Sequence, residues 1–254
     1  MLYLKNKNEV SLDKFKRFDT NSWDELKERI SYKLVNKKVF YAQEDADDIV
    51  HEDCMDLSKV YIVTELSQDR KNIISYVLKN QDLERFGKNR EELYMQVHSN
   101  YLNDKHKRIH TLKEDALAHE ILYPLMKDLS KVSLSGINML IEDSNEQRDN
   151  VLFVTNKYNV FGTSYMLDKA TLKEVHDRMQ DDFYIVPTSV HQFLCVSCKY
   201  VTKQRDTYEV EDDLLDMLYT MNTENKNTED ILSYRIYRYI ADDGEVLFPI
   251  KQQI

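Results

Sequence analysis

Glycine and proline are nearly missing from this sequence, with four and three among 254 residues. Four scattered glycines cannot build a loop of successive backbone N–H groups around a phosphate, which excludes nucleotide sites of that kind. The same scarcity excludes Gly/Ser- or Pro-rich linkers. Cysteine is scarce and odd in number: Cys54, Cys195 and Cys198 make no disulfide framework. No apolar run approaches the roughly 20 residues of a membrane span. The opening residues, Met1-Leu2-Tyr3-Leu4-Lys5, reach a charge too soon for a signal peptide. A reduced, cytoplasmic protein is the expectation. Basic charge is also short, with 35 Lys+Arg against 45 Asp+Glu and a formal net charge of −10. General nucleic-acid binding draws most of its affinity from neutralising phosphates, so neither nucleic acid nor an anionic membrane is expected as a direct partner. Ordinary solubility accounts for an acidic surface; the same surface permits a basic protein partner.

What is present is globular: 42% apolar and 11% aromatic residues, including 17 tyrosines. That is enough to bury a core without disulfides or metal. Ser22-Trp23-Asp24-Glu25 reads as a capping box, and Trp23, Leu26, Ile30 and Leu34 follow at helical spacing, which predicts a helix to about Asn36. Residues 59–66 and 72–78 are β-branched and aromatic and predict an antiparallel hairpin. Asn80 opens a short helix stopped by Gly87, and Asn89-Arg90-Glu91-Glu92 is a second capping box, whose helix runs through Leu93, Val97 and Tyr101. A third box, Thr111-Leu112-Lys113-Glu114, predicts a helix with Leu117, Ile121 and Leu125 inward and Pro124 bending or ending it. From Gly136 strands predominate: 137–141, 151–155, 162–167, 183–186 and 190–196, with a helix over 169–179. A polar loop over 197–210, a helix over 212–221 and a closing hairpin follow. The fold class is α+β, with mixed, mainly antiparallel sheets and helices packed on them. The change near Gly136 suggests two lobes, 1–135 and 136–254, although no linker separates them and one domain remains the alternative.

Chemistry-bearing residues concentrate in Phe183-Tyr184-Ile185-Val186-Pro187-Thr188-Ser189-Val190-His191-Gln192-Phe193. Ser189 and His191 are two apart and share a face of a strand, the geometry in which an imidazole could activate a hydroxyl. Neither a glycine-framed elbow nor a third group is identifiable, though Asp181 and Asp182 are near in sequence. The plainer reading is backbone hydrogen bonding where the chain turns after Pro187. Cys195-Val196-Ser197-Cys198 supplies half a zinc site at most, and on a continuous strand the two thiols would face opposite ways. Nor is a helix expected to open at this pair, as a thioredoxin-type motif requires. No metal and no cofactor is expected. Two acidic groups, Asp45, Asp47 and Asp48, and Glu211, Asp212, Asp213 and Asp216, read as solvated faces or as contacts for a basic partner.

Four blocks resemble a bacterial family known as domain of unknown function 5688: residues 23–36, ending Lys33-Leu34-Val35-Asn36; residues 77–87 with Glu91-Glu92-Leu93-Tyr94; the stretch from Val151 through Thr155-Asn156 and Phe161-Gly162 to Phe193; and residues 212–239. The third carries most specificity, since it matches a Leu-Thr-Asn, aromatic-Gly and Tyr-Ile-Leu-Pro-Ser-Ser-hydrophobic-His-Glu signature. Thr188 stands for the first of the two serines and Gln192 for the glutamate, which removes a carboxylate that could have tuned His191. The resemblance implies no established activity, and the family's association is with gram-positive anaerobes and mobile elements. Three functions follow as expectations. The first is a non-enzymatic binding or regulatory protein, and the second an acidic nucleic-acid mimic that inhibits a basic nucleic-acid-processing enzyme. The third is a hydrolase using Ser189 or Cys195 with His191.

Overall fold

The structure, a computed structural model, describes residues 22–66, 73–111, 149–202, 206–224, 227–242 and 245–247. The chain divides into two compact units, Met1–His106 and Lys107–Ile254. The expected 135/136 boundary, the third capping-box helix from residue 112 onward and the 137–141 strand lie outside the described residues. The fold class is α+β: both units combine an antiparallel sheet with helices.

In the first unit, α1 (Trp23–Leu26) gives way after a 3-10 turn to strand β1 (Ile30–Asn36). A helix to Asn36 was the expectation. Ile30, Tyr32 and Leu34 also alternate with more exposed residues, and that period prevails because β1 pairs along its whole length with β3 (Leu57–Leu66). The Ser22 side chain makes no cap hydrogen bond. Asn36 instead does the capping: its side chain accepts from the Lys38 and Val39 N–H groups and starts α2 (Lys37–Tyr41). Strands β2 (His51–Cys54) and β4 (Ile73–Val77) share the other edge of β3, and the β3–β4 pairing is antiparallel as expected. Helix α3 (Asn80–Arg85) ends at Gly87, whose φ of +61° is the left-handed value that favours glycine there. In α4 (Arg90–Leu102) Asn89 and Glu92 form the reciprocal capping box. From α4, Asn100 donates to the Lys27 and Ile30 carbonyls and Tyr101 stacks on Tyr32, covering the β1 edge.

The second unit is built on a six-stranded antiparallel sheet: β5 (Lys107–His110), β6 (Val151–Asn156), β8 (Phe193–Ser197), β7 (Phe183–Val186), β9 (Tyr237–Ile240) and β10 (Glu245–Leu247), in that spatial order. Every residue of β7 and β8 is buried, so the centre of the sheet is covered on both faces. One face packs Tyr184, Val186, Leu194 and Val196 against Val210, Leu214, Met217 and Leu218 of a long helix. On the other, Phe183 stacks on Tyr239, and His176 of α5 (Lys169–Met179) meets that tyrosine. Arg178 at the end of α5 donates to the Ile109 carbonyl and pairs with Asp149, which ties the helix to the β5 side.

Three local expectations are corrected. Residues Gly162–Leu167 form a 3-10 helix, not a strand. Residues 190 and 191 are bends, residue 192 belongs to no regular element, and β8 begins only at Phe193. The segment read as a polar loop contains α6 (Cys198–Thr202) and the first residues of α7 (Thr207–Glu224). The polar side chains of this segment serve the helix starts: Ser197 Oγ accepts from Tyr200 N–H and Asp206 Oδ1 from Tyr208 N–H.

Candidate functional site

The turn between β7 and β8 is held by its own polar side chains. Thr188 Oγ1 donates to the Gln192 carbonyl at 3.1 Å, and Ser189 Oγ accepts from the His191 backbone N–H at 3.0 Å. That second contact is the local bond by which a serine closes a turn. Ser189 thus touches the backbone of His191. The imidazole has other partners. Its Nδ1 accepts from the Phe161 N–H at 3.3 Å, and its Nε2 lies 3.3 Å from Asp230 Oδ1. A donor on Nδ1 leaves the proton of the neutral ring on Nε2, facing the carboxylate. Both ring nitrogens are engaged, one by backbone and one by Asp230.

The loop from β6 arrives at the same point. Asn156 closes it: its Oδ1 accepts from the Tyr158 and Val160 N–H groups and its Nδ2 donates to the Val160 carbonyl. Asn159 and Phe161 both take left-handed backbone, with φ of 53° and 55°. Gly162 then donates to the His191 carbonyl at 2.9 Å, an oxygen that also accepts from Thr155 Oγ1 at 2.9 Å. A Cβ at Gly162 would lie 2.6 Å from that oxygen and from Thr155 Cα, so the approach requires glycine. Thr163 Oγ1 donates to the Ser189 carbonyl at 2.6 Å. The residues behind the third resemblance block, Thr155, Asn156, Phe161, Gly162, Ser189 and His191, are therefore one knot of hydrogen bonds.

Asp181 and Asp182 do not orient His191. The Asp181 carboxylate accepts from Ser197 Oγ and the Lys199 N–H, each at 2.6 Å, and Asp182 serves Ala241 N–H and the Arg238 guanidinium. The acid on His191 is Asp230, which carries no local signal: it stands in a polar stretch 39 positions later, and only the tertiary fold brings it in.

The two cysteines straddle the end of β8, and α6 opens at Cys198, contrary to the expectation of no helix there. The surroundings nevertheless oppose reactivity. Cys195 is fully buried and desolvation pushes its thiol well above the ordinary range. Burial pushes Cys198 up to about 12, and the neighbouring Arg238 only partly opposes it. The amides of the first turn of α6 are already occupied: Cys198 by the Asp182 carbonyl, Lys199 by Asp181 and Tyr200 by Ser197 Oγ. A reactive thiol needs the reverse, a lowered pKa at an open helix start. Among the described residues no three His, Cys, Asp or Glu side chains are grouped to hold a metal.

The acidic residues separate. Asp45, Asp47 and Asp48 lie in the first unit around a 3-10 turn, where Asp45 pairs with Lys79 at 2.9 Å. The second group lies on α7. Glu211 is buried and accepts from the Tyr184 hydroxyl at 3.2 Å, which removes it from any contact surface. Asp212 and Asp213 are half-buried and Asp216 is exposed. Tyr208 and Tyr219, which the sequence reading did not single out, are 55% and 59% exposed on the same helix. An open groove of about 470 Å³ lies between α5 and β9, edged by Lys169, Lys173, His176 and Tyr239. Its Lys173 is already paired with Asp177, and His176 Nδ1 with the Asp181 carbonyl.

Among the described residues no helix is long and apolar enough to cross a membrane. Neither a curated protein nor a solved structure matches the chain. One family model does, over residues 1–241, and its family is described as one of unknown function. By that match the chain belongs to the DUF5688 family.

Proposed function

We propose that this protein is a non-enzymatic binding protein that offers the outer face of α7 to a basic protein partner. The observation that carries the reading is the composition of that helix. Its residues Thr207–Glu224 include six acids and no lysine, arginine or histidine. Tyr208, Asp212, Asp216 and Tyr219 fall within about 80° of arc at 100° per residue, opposite the Leu214 and Leu218 side that packs on the sheet. Exposed tyrosines beside carboxylates combine apolar contact area with a field that steers a cationic surface into place. The site at His191 supports the same reading from the other direction. Its serine bonds the His191 backbone and its imidazole is engaged by Phe161 and Asp230, so the ring is directed away from the Ser189 hydroxyl.

The test is retention of proteins from an extract of the source organism on the immobilised full chain, at rising salt. A basic protein is expected to bind at low ionic strength, to elute as salt is raised, and to be lost from the double variant Asp212→Lys, Asp216→Lys while persisting with His191→Ala. Identical capture by the charge-reversed chain, or capture lost only with His191→Ala, would refute the proposal. If the captured protein processes nucleic acid and DNA displaces it, the partner's groove is the surface engaged.

A further inference from the structure

We infer that His191 is a protonation-sensitive latch on the loop from Asn156 to Gly162. The inference concerns the conformation of the second unit and stands apart from the binding proposal. The loop ends in a backbone that resists being held: Asn159 and Phe161 are non-glycine residues at φ of 53° and 55°. Such a conformation persists only where its surroundings fix it. Contacts at both ends of the loop do so. Asn156 closes the loop at its start, and the Gly162 N–H reaches the His191 carbonyl. The Phe161 N–H reaches Nδ1 of the His191 ring, and the Phe161 ring lies against that imidazole with centroids 5.7 Å apart.

Of these, the Phe161-to-Nδ1 bond depends on charge. It exists only while Nδ1 has a lone pair. An imidazolium carries protons on both nitrogens, so a donor would then face a donor. Protonation also turns the 3.3 Å contact between Nε2 and the Asp230 carboxylate, on the other side of the ring, into an ion pair. Both changes act in one direction, drawing the ring toward Asp230 and releasing Phe161. Asp230 is the ionisable side chain that faces the imidazole; β6, the loop and the 3-10 helix bring Thr155, Phe161, Gly162 and Thr163 to the turn, none of which titrates. The ring is partly exposed, with 23% of its side-chain surface open, so a proton has access. The Gly162 and Thr155 bonds to the His191 carbonyl, and the Asn156 bonds to Tyr158 and Val160, do not depend on the ring's charge, so Phe161 loosens between anchors that hold on either side of it.

The experiment is hydrogen exchange of the full chain across mildly acidic to neutral pH, corrected for intrinsic chemistry, with ¹⁵N shifts of the His191 ring recorded on the same samples. In the neutral ring Nε2 is expected to carry the proton. As the ring takes up its second proton, protection of the Phe161 amide should fall by about tenfold, the size of one net hydrogen bond, while Gly162 keeps its protection. The variant His191→Asn keeps an acceptor near the Nδ1 position and cannot titrate, so its Phe161 protection should be flat with pH. A neutral ring protonated on Nδ1, or Phe161 protection unchanged while the wild-type ring titrates, would overturn the inference without any variant having to fold.

Discussion

Two regions of the second unit carry polar clusters, and they use their hydrogen-bonding capacity in opposite ways. At the β7–β8 turn almost every polar atom is directed inward, at the chain itself: Thr188 to Gln192, Ser189 to His191, Thr163 to Ser189, the imidazole to Phe161 and Asp230. On α7 one acid, Glu211, is likewise directed inward to Tyr184, while Asp216, Tyr208 and Tyr219 project into solvent. The residue types at the turn are those of catalytic sites and those on the helix those of soluble surfaces, and in neither place do the types alone say which atoms meet. A hydroxyl next to an imidazole in sequence is chemically informative only once the atom that each one reaches is known.

The comparison breaks most readily at Gly162. Gly162→Ala places a methyl group against the His191 carbonyl and Thr155 Cα, which are backbone and cannot swing away. A loss of about 3 kcal/mol, in the upper range for overpacking, is expected from chemical denaturation. An alanine tolerated within a few tenths of a kcal/mol would show that the knot is loose.

The buried thiols come next. Cys195→Ser sets a hydroxyl in a fully buried strand position and should cost about 2 kcal/mol, whereas Cys195→Ala should cost less. Neither Cys195 nor Cys198 should be alkylated in the folded protein at neutral pH, as read by mass spectrometry of quenched samples. The same burial gives a pH dependence with a definite sign. Burial pushes the Cys198 thiol of the folded chain from an ordinary value of 9.0 up to about 12. Between those values the unfolded chain has lost the proton that the folded chain keeps, so this thiol makes stability fall as pH rises from about 9 toward 12. Cys198→Ala should flatten that alkaline decline. A decline equally steep in the variant would assign it to other groups, Tyr61 and Tyr184 among them, whose hydroxyls burial also pushes up.

Removing the imidazole is a smaller change. His191→Ala leaves the Phe161 N–H without its acceptor and should cost about 1–2 kcal/mol. The smallest effect sharpens the contrast: Asp216→Lys, on the exposed face of α7, should alter stability by no more than about 0.5 kcal/mol while weakening capture of a basic partner.

Much of this architecture is legible in the residues. The capping box at Asn89-Arg90-Glu91-Glu92, the stop at Gly87, the strands at 59–66 and 183–186 and the helix over 169–179 follow from local rules that the tertiary structure does not override. Residues 30–36 do not follow, because Ile30-Ser31-Tyr32-Lys33-Leu34-Val35 satisfies both a helical and an alternating period. The long-range pairing with β3 decides between them. At the candidate site the members were legible and their connections were not. Thr155, Asn156, Phe161, Gly162, Ser189 and His191 stand in recognisable blocks, but Asp230 offers no local signal, and Asp181 and Asp182 are close in sequence yet committed to α6, Ala241 and Arg238. The inward turn of Glu211 is a matter of helical phase: at 100° per residue it lies a quarter-turn from Asp212, enough to move it from solvent to the Tyr184 hydroxyl.

The contrast between the inward turn and the outward helix is most directly tested by photo-cross-linking from one position in each. A photoreactive side chain replaces Tyr219 in one full-length protein and Ser189 in another, and both are irradiated in an extract of the source organism. The account predicts a discrete adduct with a basic protein from position 219, lost at high salt, and none from position 189. A discrete adduct from 189 with none from 219 would place the contact surface at the imidazole turn and contradict it.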